Sequence, residues 1–155
     1  MHRVSLDEME SRMGPADVSL PLTDALGASK LALNYYELAP GDSFAFGFHA
    51  HADQEEVFYV EEGTVTFQTE AGDVEVSAGE LVRFGPGEFQ RGVNQGDERV
   101  VALAMGAPQD AGETEILREC ETCGEATTMD LELTDDHDAV VVRCTECGTE
   151  VDRYT

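Results

Sequence analysis

At 155 residues and 16.8 kDa the chain has room for one ordinary domain and a small appendage. Hydrophobic residues at 41% exclude wholesale disorder, and no run of 18 apolar residues is present to cross a membrane as a helix. Thirty-three acidic residues against nine basic ones give a net charge of −24, which repels phosphate backbones and argues against nucleic-acid binding.

The first residues, Met1 to Glu8, lack the apolar stretch of a signal peptide, so a soluble cytoplasmic protein is expected. Ser5-Leu6-Asp7-Glu8 reads as a capping box opening a short helix to about Met13, which Gly14-Pro15 would stop. Beyond residue 29 the helical period vanishes. Residues 30–38 and 44–51 alternate, and 57–60, 65–69, 74–76, 81–84 and 100–105 are short β-type runs. Turn signals separate them: Pro40-Gly41-Asp42, Glu61-Glu62-Gly63, Ala71-Gly72-Asp73, Ala78-Gly79-Glu80, Gly85-Pro86-Gly87 and Asn94-Gln95-Gly96-Asp97. Short strands so closely spaced predict an all-β antiparallel sandwich or barrel over 30–105, after an N-terminal extension of residues 1–29. Residues 106–115, small and polar, read as a linker to a separate unit at 116–155.

The segment from Phe48 to Gly63 carries the main chemistry. Residues two apart in a strand share a face, so His49 and His51 can hold one ion side by side. Ala45 and Gly47 fall on their face, while Phe44, Phe46 and Phe48 form an apolar stripe on the other. A carboxylate across a short turn would complete two imidazoles and one carboxylate, a set that suits first-row divalent metals and leaves coordination positions open.

These residues resemble the first motif of the cupin superfamily, G-x5-H-x-H-x3–4-E-x6-G. His49, His51, Glu56 and Gly63 match it, with Gly41 lying two residues early. Glu55 fits the shorter spacing, but only Glu56 also puts Gly63 in place. The second cupin motif, G-x5-P-x-G-x2-H-x3-N, aligns with Gly79, Gly87 and Asn94, the proline displaced by one. Gln90 stands where the family has its third histidine. It is either a weaker, neutral oxygen ligand or a wall residue. The resemblance implies a double-stranded β-helix barrel of jelly-roll type. It also implies a barrel metal (Fe, Mn, Ni or Zn) on His49, His51, Glu56 and Gln90, and pairing into a homodimer.

Cations are scarce, yet Arg83, Arg91 and Arg99 cluster around the second motif. One of them can anchor a substrate carboxylate near the metal, although neutralisation of surface acids explains them more simply. Tyr36, Phe58 and Phe84 are candidate barrel-lining residues, and Asp53, Gln54 and Glu55 read as a turn without a role.

Cys120-x-x-Cys123-Gly124 and Cys144-x-x-Cys147-Gly148 are two knuckles 20 residues apart, with strands expected at 127–133 and 139–143. Four thiolates at this spacing make a tetrahedral zinc site resembling a zinc ribbon; rubredoxin-type iron is the chemical alternative. The zinc would be structural, since some 40 residues bury too little apolar surface to fold alone. Eleven acidic residues from Glu119 onward, against Arg143 and Arg153, suit protein docking better than phosphate binding.

Two functions are therefore expected. One is a mononuclear metal enzyme of dioxygenase, isomerase or lyase type acting on a small molecule. The other is a non-catalytic small-ligand or metal-sensing module with a protein-docking ribbon. The spread of acids over a folded surface, with a single lysine, Lys30, is similar to the composition of proteins from salt-loving archaea. A salt requirement is expected for that reason.

Overall fold

Alternation of buried and exposed side chains decides which segments become strands. In the computed structural model, which describes residues 1–155, thirteen strands form two antiparallel sheets. The first sheet runs β1 (Val18–Pro21), β2 (Ala32–Leu38), β9 (Val100–Ala107), β4 (Glu55–Glu62), β7 (Leu81–Phe84). The barrel part of the second contains β3 (Phe48–His51), β8 (Gln90–Val93), β5 (Thr64–Thr69) and β6 (Val74–Ser77). It continues outward from β3 through β10 (Thr114–Cys120), β11 (Glu125–Leu133), β12 (Val140–Cys144) and β13 (Glu150–Tyr154).

The core lies between the sheets. β9 alternates strictly, burying Val100, Ala102 and Ala104, which pack with Phe58 and Val60 of β4 and Val65 and Phe67 of β5. Phe44, Phe58, Phe67 and Phe84 stack through the middle with centroids 5.0–6.3 Å apart. Rings at these distances add to the area they bury. Two motif residues act as pins. Gly63 turns β4 into β5 at φ +77°, and a Cβ there would stand 2.6 Å from the Arg99 carbonyl. Asn94, 1% exposed, donates its amide to the carbonyls of Leu38 and Glu98 at 3.0 and 2.7 Å and accepts the Gly96 N–H.

Several expectations need correction. The N-terminal helix is one 3-10 turn, Leu6–Glu8; Ser5 makes no capping hydrogen bond, and no residue of the turn is buried. A helix this short with no face to bury has nothing to pay for its nucleation. The N-terminal extension instead contributes β1, which pairs with β2 from Val18↔Glu37 to Pro21↔Asn34. The strand expected at 44–51 begins only at Phe48; before it the chain bends, joined to β8 by the Ser43↔Val93 bridge. The bend breaks the two-residue period, so Phe44 enters the core instead of lying on an outer stripe. Residues 106 and 107 end β9 and Thr114 opens β10, which pairs with β3 from Thr114↔His51 to Leu117↔Phe48. The cysteine-bearing unit is thus built directly onto the barrel sheet.

Candidate metal centre

β3 presents His49 and His51 to the barrel interior, β4 presents Glu56, and β8 presents Gln90 opposite His49 in register. One donor atom from each of His49, His51 and Glu56 lies within 4.8 Å of the others. His51 Nε2 is 3.6 Å from Glu56 Oε2. The Gln90 amide nitrogen is 3.2 Å from Glu56 Oε2 and 3.4 Å from His49 Nε2. Ligands at about 2.1 Å from one ion stand about 3.0 Å apart at an octahedral edge and about 3.4 Å at a tetrahedral one. The observed spacings are those of side chains arranged round a common point.

Glu55, the neighbouring acid, leaves β4 on the opposite face and pairs with Arg83 at 2.5 Å. Strand alternation therefore separates the two carboxylates, giving one to the site and one to the surface. Gln90 is 2% exposed, and its carbonyl oxygen is buried without any partner. An orphaned buried oxygen costs stability. Rotating the amide by 180° would turn that oxygen toward His49 and Glu56, where a cation would satisfy it. The residues present therefore fit a divalent ion bound by two nitrogens and up to two oxygens.

The ring orientations are fixed from behind. His49 Nδ1 sits 3.2 Å from the Gly47 carbonyl, so it carries the proton and leaves Nε2 facing the site. Burial lowers the His49 pKa, opposed by the charge of Glu56, and this favours the neutral imidazole that ligates metals. His51 Nδ1 lies 2.9 Å from the Thr114 hydroxyl. Thr114 belongs to β10, so a residue read from sequence as linker holds a candidate ligand in place.

A cavity of about 200 Å³ adjoins these residues, lined also by Asn34, Tyr36, Phe44, Ala45, Gln54 and Phe58. Of the aromatic residues singled out in the sequence, Tyr36 and Phe58 reach it, while Phe84 stays in the core. Burial first, and the charge of Glu56 second, push the Tyr36 phenol up to about 12. Sequence reasoning gave Gln54 no role. It is 5% exposed, donates to the carbonyls of Pro108 and Gln109 at 2.7 and 3.2 Å, and packs where a Cβ at Gly106 would collide with its amide. The glycine at the inward position 106 was the available signal. Arg83 and Arg99 are bound to Glu55, Asp17 and Glu37 on the surface, and no arginine lines this cavity.

In the C-terminal unit the four cysteines come together, with one sulfur from each inside 4.8 Å. Cys120 and Cys147 sulfurs are 3.6 Å apart, and those of Cys123 and Cys144 are 3.9 Å apart. Zinc–thiolate bonds of 2.3 Å place tetrahedral sulfurs about 3.8 Å apart. Gly124 and Gly148, at φ +74° and +73°, close the two knuckles by donating N–H to Cys120 and Cys144 carbonyls. Thr127 lies 3.1 Å from the Cys144 sulfur, and its hydroxyl lowers that thiol to about 6. The cluster packs on Met129 and Val142, with Phe46, Ile116 and Tyr154 against it.

Residues 34–106 match the cupin domain family by sequence. The two-sheet barrel has the double-stranded β-helix fold of solved cupin structures. Among curated proteins none matches the chain. Solved structures similar in fold include a sugar phosphate isomerase of the cupin superfamily from Silicibacter pomeroyi, at 22% identity and TM-score 0.61. That alignment covers 92% of this chain and 87% of the other. The polyketide cyclase RemF from Streptomyces resistomycificus aligns at 24% identity and TM-score 0.62, over 78% and 88% of the two chains. A predicted oxalate decarboxylase from Thermotoga maritima aligns at 22% and 0.59, over 68% and 98%.

Proposed function

We propose that the chain is a metal-dependent cupin enzyme of isomerase or lyase type, acting on a small, unphosphorylated hydroxy-carbonyl or keto-acid compound. The observation that carries this reading is the convergence of His49, His51 and Glu56 with the orphaned Gln90 oxygen beside a lined cavity. The donor set suits iron, manganese, nickel or zinc. When bound, such an ion supplies a Lewis acid for a carbonyl oxygen. The names of the similar structures, isomerase, cyclase and decarboxylase, favour this chemistry.

The chain's own groups define the rest. Tyr36 stays protonated near neutrality and offers a hydrogen bond to a substrate oxygen. Asn34 offers a second polar contact, while Phe44, Ala45 and Phe58 keep water from that wall. With no lysine or arginine in the lining, the bound ion would be the only counter-charge, and Glu56 offsets half of it, which suits a single carboxylate better than a phosphate dianion. A cavity of about 200 Å³ is also below the range of usual drug-sized sites.

The test is proton exchange. Full-length protein loaded with each metal in turn is incubated in D2O with a panel of three- and four-carbon hydroxy-carbonyl compounds and keto acids. Deuterium entering next to the carbonyl, or loss of CO2, is expected, with at least a tenfold loss in Tyr36→Phe. Binding of the compounds without exchange or cleavage would refute the enzyme reading in favour of a ligand-binding module.

We also infer a structural zinc on Cys120, Cys123, Cys144 and Cys147, supported by the tetrahedral sulfur spacing.

A further inference from the structure

Nearly every arginine in this acidic chain has an evident occupation. Arg83, Arg99, Arg118, Arg143 and Arg153 pair with carboxylates, and Arg3 and Arg12 are exposed to solvent. Arg91 is the exception. It is half-buried and forms an ion pair with none of the 33 acidic residues. Its Nε is buried without a hydrogen-bond partner, and its Nη2 reaches only the Ser43 hydroxyl, at 3.5 Å.

Arg91 follows Gln90 on β8, so it leaves the sheet on the face away from the metal ligands. There it lines a separate cavity of about 540 Å³ with Phe48, Gln68, Leu117, Arg118 and Glu119, on the sheet face that spans β5, β8, β3 and β10. Arg118 donates to Asp152 at 2.9 Å and to the Tyr154 hydroxyl at 3.2 Å, which fixes its plane. Glu119 is exposed and pairs with neither guanidinium. Burial, and then the neighbouring Arg118, lower the Arg91 pKa, as expected for a charge lacking compensation. A partly buried cation without a partner is costly, and a forked donor set is complementary to carboxylate and phosphate oxygens.

We propose that Arg91 and Arg118 form a second small-molecule site, selective for an oxyanion such as a carboxylate or phosphate, at the junction of the barrel with the cysteine-bearing unit. An anion held there joins β8 to β10, the strand that carries Thr114, and so ties the two units together.

The probe is inorganic phosphate, with acetate as a second arm, titrated into the full chain at constant multimolar KCl. A saturable rise in melting temperature is expected for the wild type. Arg91→Met should abolish that rise and weaken phosphate binding by about tenfold or more, with barrel metal content unchanged. Without phosphate the variant should melt no lower than the wild type, because it loses an uncompensated charge. Arg91→Lys, which keeps the charge and loses the fork, should bind with intermediate affinity, and it carries the test if the methionine variant misfolds. Equal phosphate responses in wild type and variants, or no saturable response, would overturn the proposal. A wild-type dimer that dissociates on adding phosphate or on Arg91→Met would also overturn it, since the oxyanion would then be a carboxylate of a second copy.

Discussion

Gln90 occupies the place of a third imidazole, between His49 and Glu56. Its amide oxygen is a weaker donor than imidazole, so Gln90→His should tighten barrel metal binding by about tenfold or more, measured by competition with a chromogenic chelator. Thr114 acts one step further back. Thr114→Val preserves shape and removes the hydroxyl that orients His51, so metal affinity should fall by about 10- to 100-fold. An unchanged affinity would mean that His51 is held by β3 alone. The histidines and Glu56 were legible because strand alternation and motif spacing are properties of sequence. Thr114 was not, because its partner is 63 residues away and only pairing of β10 with β3 brings the two together.

That pairing also governs the elements. β10 was read partly as linker because Thr114, Glu115 and Glu119 are exposed and its burial does not alternate. β1 and β8, each four residues long, carry too little pattern to announce themselves. Phe44 was misplaced because alternation was extended through a bend that the Ser43↔Val93 bridge imposes. The knuckle glycines, by contrast, were readable, since the turn needs positive φ. Stripping the zinc proposed on the four cysteines should melt β11, β12 and β13 and leave the barrel standing. Hydrogen exchange should show those strands losing protection by about a thousandfold while β2, β4 and β9 keep theirs. Gly106→Ala should destabilise the barrel by about 1–3 kcal/mol, because the new methyl displaces the Gln54 amide from its carbonyl partners.

Across the whole molecule no carboxylate is buried, and 33 of them share 8671 Å² of surface, a mean spacing of about 16 Å. At 0.01 M salt the Debye length of about 30 Å exceeds that spacing, and at 1 M it falls to about 3 Å. We therefore propose a salt-dependent fold, with the melting temperature rising by about 10 °C or more between dilute buffer and multimolar KCl. An unchanged midpoint would contradict it. No helix is long and apolar enough to cross a membrane. The most direct check on the metal assignment is an elemental count on protein purified in high salt. Two ions per wild-type chain and one, the cysteine-bound zinc, in the His49→Ala/His51→Ala variant are expected. A variant that keeps both ions, or a wild type that never takes a second divalent ion when it is supplied in excess, would show that the imidazoles, Glu56 and Gln90 do not share a metal.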